Sequence, residues 1–200
     1  MVAPEVEHSS EGLTLAEAVR SRFGWWTADA ALRLLPETNG PHVEIFSGRV
    51  IVSPHASVDH QIIGRQLAYL LHQAARKVGM RAYPEVNVID GEDLFIPDVS
   101  VFRISGAGQA AMPISEAVLL VEIVSASNRR KDVIDRPRVY AAAKVPWFMR
   151  VEFRNRVPSM ALHELIDGEY HPVAVGAAGA VFAMIKPFPF TIDPAELLDD

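Results

Sequence analysis

VLLVEIV, residues 118–124, is an apolar run interrupted only by Glu122. It is too short for a buried helix and rich in branched side chains, so it reads as a strand covered on both faces at the centre of a sheet. An ionised carboxylate in such a strand is costly unless something compensates it. A metal ion, a fixed cation or a raised pKa would each do so, and which one applies decides what the protein does.

Downstream, the polar segment SASNRRKDVID leads into a helix that runs through Tyr140. Pro137 is tolerated only in a first helical turn, which places the helix start near Asp135. WFMRVEF and MALHELIDGEYHPVAV add three strands, the last two joined around Asp167-Gly168. Upstream, AYPEVNVI and LFIPDVSVF read as strands around an Asp90-Gly91 turn. Ser57 to Val78 is the strongest helix, with Ile62, Ile63, Leu67, Leu70, Leu71, Ala74 and Val78 at helical spacing and Gly79 as its stop.

Before that helix, VEIFSGRVIV predicts a hairpin turning at Ser47-Gly48, with Phe46 opposite Arg49 and Glu44 opposite Ile51. Val43, Ile45, Val50 and Val52 would share one face. LTLAEAVRSRF and WTADAALRLLPE have helical spacing, the second with Thr27 as N-cap, and Asn39-Gly40-Pro41 ends it. The expected organisation is a partly helical extension over 1–26 and a single domain over 27–200. Its class is α/β, a mixed β-sheet flanked by helices, with additional antiparallel hairpins.

The bulk composition narrows the function. At 200 residues, 50% hydrophobic and 22% charged, the chain can bury one full core. A net charge of −6 provides no overall field for nucleic acid, so contact with DNA requires local positive charge. The absence of cysteine excludes disulfides, thiolate metal sites and cysteine nucleophiles. VAVGAAGAVFAMI is short and glycine-interrupted for a membrane span, and the acidic N-terminus lacks a secretory signal. No membrane partner and a cytoplasmic location are expected.

Asp98, in IPDVSVF, is the second carboxylate placed on a strand. A hard divalent cation would offset the cost of both acids together, since magnesium takes a few carboxylate oxygens, keeps its waters and leaves room for phosphate. The pattern of Pro97-Asp98 followed by the apolar-flanked Glu122 resembles the PD-(D/E)xK nuclease superfamily, and in detail its Uma-type restriction endonuclease branch. The pieces are VEIFSGRVIVSP, DHQIIGRQL, IPDVSVF, VEIVSAS, then Asp132, Arg136 and Tyr140, then VPWF and IDGEYHPV. They run from about Thr27 to the C-terminus, and their order and spacing carry the resemblance.

That resemblance implies a restriction-endonuclease-like core that hydrolyses DNA phosphodiester bonds. It also implies Mg2+ or Mn2+ held by Asp98, Glu122 and the carbonyl of Ile123. The superfamily's lysine two positions after the glutamate is Val124 here, and the helix lysine of the Uma-type branch aligns with Arg136. An arginine stays protonated, so Arg136 is left with orientation or charge stabilisation. Lys131 and Lys144 are alternatives on the same segment.

Other residues carry two readings. For Glu122 the structural alternative is a buried salt bridge to Arg103, Arg150 or another arginine. For Asp98 it is a turn-capping side chain. Glu44 favours a cross-strand ion pair with Arg49, and a third acidic ligand is the lesser reading. Glu85 reads as an outward strand residue unless it points at Asp98. His60, in the first turn of the long helix, reads as a solvated polar residue, although the family pattern also places a histidine there, at substrate-contact range. Arg129, Arg130, Lys131, Arg136 and Arg138 form either a solvated helix entrance or a phosphate contact. Tyr140 packs, with its hydroxyl near the site. Trp25, Trp26 and Trp147 belong to the core or an interface. The rival class is a degraded nuclease fold acting as a DNA-binding or protein-interaction module, and either class suits a homodimer.

Overall fold

The computed structural model describes residues 25–35, 42–53, 55–124 and 135–198. In chain order it has α1 (Ala28–Leu34), β1 (His42–Phe46), β2 (Arg49–Ser53), α2 (Val58–Arg76), β3 (Arg81–Pro84), β4 (Val88–Asp90), β5 (Asp93–Phe95) and β6 (Val99–Phe102). There follow β7 (Met112–Pro113), β8 (Ala117–Val124), α3 (Arg136–Ala142), β9 (Trp147–Arg154), β10 (Val157–Ile166), β11 (Glu169–Ala177), β12 (Phe182–Met184) and β13 (Phe190–Ile192). Single 3-10 turns lie at Ile114–Glu116 and Pro194–Leu198. The expected helix over LTLAEAVRSRF and the stop at Asn39-Gly40-Pro41 lie outside the described residues.

Every residue of β8 is buried, as its apolar sequence predicts. It sits inside a six-stranded sheet ordered β11-β10-β9-β8-β6-β3, antiparallel to β6 and parallel to β9. Leu119, Val121 and Ile123 enter a core with Ile63, Leu67 and Leu71 of α2. On the opposite face Leu120 packs with Tyr140 of α3, Phe148 of β9 and Phe95 of β5. The sheet is therefore covered by α2 on one side and by α3 with the smaller sheet on the other.

α2 begins where the sequence places it, at an N-cap Ser57 whose hydroxyl accepts from the His60 amide. Its buried stripe is Ile63, Leu67, Ala68, Leu71 and Ala75. The helix ends at Arg76, so Val78, expected on the apolar face, is largely exposed. The β1–β2 hairpin has the expected register, Phe46 with Arg49 and Glu44 with Ile51. Positive φ at both Ser47 (49°) and Gly48 (73°) matches the two-residue turn that suits twisted strands. Thr27 caps α1, accepting from the Ala30 amide.

The central segment departs from expectation. AYPEVNVI and LFIPDVSVF each break into two strands that serve different sheets. β3 pairs with β6 in the large sheet, while β4 and β5 pair in a five-stranded sheet ordered β2-β1-β5-β4-β7. The breaks fall at Glu85, with φ +46°, and at Ile96-Pro97. A proline contributes no amide hydrogen to a ladder, and the left-handed Glu85 redirects the chain out of the first sheet. Asp98 consequently precedes β6 instead of lying on a strand.

Candidate active site

The β6–β8 register pairs Val99 with Val121. One antiparallel step further sets Asp98 across from Glu122. Asp98 Oδ2 accepts the Ile123 amide at 2.5 Å, which ties the two strand positions together.

Glu122 shares the face of Leu120 by strand alternation. It enters a buried cluster with Glu44 of β1 and Arg136 and Tyr140 of α3. Glu44 is 1% exposed, Glu122 and Arg136 4% each, and Tyr140 is fully buried. Arg136 Nη2 donates to Glu44 Oε1, and its Nε lies 3.8 Å from Glu122 Oε1. Tyr140 donates its hydroxyl to the same Glu122 oxygen. Glu44 Oε1 also accepts the Ile96 amide at 2.9 Å, and the Arg136 guanidinium lies 4.8 Å from the centre of the Phe95 ring. Burial, reinforced by the Glu122 charge, holds the Tyr140 hydroxyl well above its ordinary pKa, so it stays a donor.

On the other side of β8 a cleft opens between α2 and β3, and Asp98, His60 and Glu85 are among its lining residues. His60 Nε2 lies 3.1 Å from the Ile123 carbonyl and 3.4 Å from Asp98 Oδ1. A carbonyl only accepts, so Nε2 carries the proton. Burial opposes a positive charge on His60, but the hydrogen bond and charge of Asp98, with the Ile123 carbonyl and the Glu85 charge, outweigh it and raise its pKa. The Glu85 amide donates to the Asp98 carbonyl at 3.1 Å.

Several expectations change here. Glu44 does not take the exposed Arg49 as its ion-pair partner. The small sheet folds β1 over β8, and among the described residues its partner is Arg136. For Glu122 the salt-bridge reading is met by another arginine, Arg136, with Nε at 3.8 Å, while Arg150 pairs with Glu152 at 3.0 Å and Arg103 is exposed. His60 is not solvated, being 8% exposed. Glu85 is no strand residue, although it does reach toward the Asp98 end of the cleft. Arg136 starts α3 beside Pro137, as expected, and approaches Glu122. Lys144 lies exposed beyond the far end of α3, while Arg129, Arg130 and Lys131 lie outside the described residues. Trp26 and Trp147 are core residues, and Trp25 is exposed. Phe95 under Arg136 and the Ile96 amide on Glu44 carry no signal in local sequence, because each contact joins segments tens of residues apart, β5 to α3 and the end of β5 to β1.

Carboxylate and carbonyl oxygens are the donor types a hard cation takes. Among the described residues no three His, Asp or Glu side chains converge on one point. Two carboxylates, a backbone carbonyl and water are nevertheless a sufficient set for magnesium. Asp98 and the Ile123 carbonyl meet at His60 on the α2 side of β8, while the Glu122 carboxylate lies toward α3, bonded to Tyr140.

Residues 29–194 match the Uma2 family, described as "Putative restriction endonuclease". The chain belongs to this family. Its fold is restriction-endonuclease-like and similar to the crystal structure titled as a "putative nuclease belonging to DUF820" from Anabaena variabilis. That similarity has a TM-score of 0.60 at 19% identity, over 73% of this chain and 83% of that one. No curated protein matches the chain. Among the described residues of this Uma2 member no helix is long and apolar enough to cross a membrane.

Proposed function

We propose that this Uma2 protein is a divalent-metal-dependent endonuclease that hydrolyses DNA phosphodiester bonds. The observation that carries the reading is the register that sets Asp98 across from Glu122, with the Ile123 amide bonded to Asp98. Asp98, Glu122 and the Ile123 carbonyl would hold Mg2+ or Mn2+, which when bound supplies Lewis acidity toward a phosphoryl oxygen and an acidified water.

The protein's own residues do the positioning. Arg136 neutralises Glu122 from one side and Glu44 from the other, which fixes the carboxylate that a lysine accompanies in related enzymes. Its guanidinium cannot take a proton, so its role is charge stabilisation and orientation. Tyr140 sets the rotamer of Glu122 through its hydroxyl. His60 Nε2 contacts both Asp98 and the Ile123 carbonyl.

The test is incubation with supercoiled plasmid and Mg2+ or Mn2+, beside Glu122→Gln. Nicking by the wild type and its loss in the variant are expected. Equal nicking by both, or none by the wild type across conditions, would overturn the reading.

A second reading, a DNA-binding or protein-interaction module without catalysis, is favoured by the deep burial of Arg136 against two carboxylates. It predicts that Mn2+ leaves the melting temperature unchanged. The homodimer expected from sequence belongs to the proposal too, supported by exposed Val173 and Val175 on β11 and the neighbouring Val181 and Ile185. Light scattering should give twice the 22.0 kDa chain mass, and a monomer would remove that part.

A further inference from the structure

The α2–β3 cleft extends well beyond Asp98. It encloses about 640 Å³ and follows α2 from Val58 to His72, roughly 20 Å at 1.5 Å per residue. Gln61, Arg65 and Tyr69 recur every fourth residue, so they line one exposed stripe of α2, and Tyr69 is 59% exposed. Ala82 and Pro84 form the facing wall. His72 Nδ1 contacts the Ala82 carbonyl at 2.9 Å, which pins β3 to the helix at the cleft floor. Among the described residues, a mostly apolar trough therefore carries the Tyr69 ring, the imidazoles of His60 and His72 and the Arg65 guanidinium, and it runs into the acidic end formed by Asp98 and Glu85.

These groups match a particular form of nucleic acid. A duplex hides its base faces and presents rows of phosphates, which call for rows of cations. Among the described residues the trough carries one arginine and ends at Asp98 and Glu85, so it offers no such row. An unstacked nucleotide presents an apolar ring face and one phosphate, which an aromatic side chain and an arginine recognise. We propose that the α2–β3 cleft binds an unpaired nucleotide of a single-stranded or locally opened DNA strand, with its base against Tyr69 and its phosphate on Arg65. This rests on the nuclease reading for the importance of the neighbouring Asp98, and it names the substrate form.

The test is fluorescence anisotropy with a fluorescein-labelled oligothymidylate and a blunt duplex of equal length, in EDTA. Tighter binding of the single strand is expected. Tyr69→Ala should weaken it about tenfold or more, while Tyr69→Phe stays near wild type. Arg65→Ala should weaken binding and flatten its salt dependence. Both side chains are exposed, so the variants should keep the wild-type melting temperature. No binding by the wild type, equal affinity for the two probes, or a Tyr69→Ala variant that binds like wild type would overturn the proposal. Because the measurement needs no metal, it separates from the nuclease reading. A wild type that fails to nick plasmid yet binds single strands through Tyr69 sinks only the latter. One that nicks plasmid but ignores Tyr69 sinks only the former.

Discussion

Arg136 is buried between Glu44 and Glu122, so removing it withdraws a cation from beside two buried carboxylates. Arg136→Leu should destabilise the fold by about 3–5 kcal/mol in urea denaturation. Because the three groups act as one network, Glu44→Gln combined with Arg136→Leu should cost less than the sum of the single changes. Tyr140→Phe keeps the ring in its contacts with Phe95 and Phe148 but removes the donor to Glu122. Metal affinity or nicking rate should fall about 10–100-fold, read by titration with Mn2+. His60 adds a pH dependence. Its protonated form is favoured in the fold, so the native chain binds more protons than the unfolded one between 6.5 and the raised folded value. That stability is present in full below the unfolded value and lost as pH rises through the folded one. In EDTA the melting temperature should therefore drop more from about pH 6 to about pH 8 in wild type than in His60→Gln. Among these residues Glu122 was legible from its strand and Arg136 from its place before Pro137. The Glu44–Arg136 pair was not, since nothing within β1 records that the hairpin folds over β8.

At the scale of elements, α2 and the β1–β2 hairpin were read closely because their signals are local. A helix-period stripe, a glycine stop and a Ser-Gly turn each depend on a few neighbouring residues. Gly48 shows how tight that turn is. It has φ +73°, and a Cβ there would lie 2.2 Å from the Trp25 ring, which is held by a 2.8 Å bond from Nε1 to Glu92. Gly48→Ala should lower stability by at least about 1–2 kcal/mol in urea, from the left-handed backbone alone. Leu67, fully buried under β8 in the centre of α2, is a harsher site. Leu67→Ala should cost about 2–5 kcal/mol by the same measurement. The strands around Asp90-Gly91 were misread because alternation alone cannot tell which sheet a strand joins. Residues on both sides of Glu85 and of Pro97 have strand character, and the partition between sheets is made by the pairing partners β1, β6 and β7.

For the whole molecule, the site exists only where two sheets and two helices meet. β8 contributes Glu122 and Ile123, the approach to β6 contributes Asp98, α3 contributes Arg136 and Tyr140, α2 contributes His60, and the small sheet contributes Glu44. A cation bound only by the native arrangement must stabilise it. At a hundredfold excess of Mn2+ over Kd the wild type should gain about 2.7 kcal/mol, and the Asp98→Asn/Glu122→Gln double variant none, both read by thermal melting. By itself the sequence determined the α/β class, the central β8, the helix α2, the hairpin register and the two acids that need compensation. Each of these follows from side-chain periodicity or backbone preference over a few residues. Tertiary structure alone decided that Asp98 lies opposite Glu122, that Glu44 and Arg136 share a buried pair, and that His60 leans on Asp98 instead of water. Those contacts join residues from distant segments, and their energies depend on which faces become buried together, which no local pattern encodes.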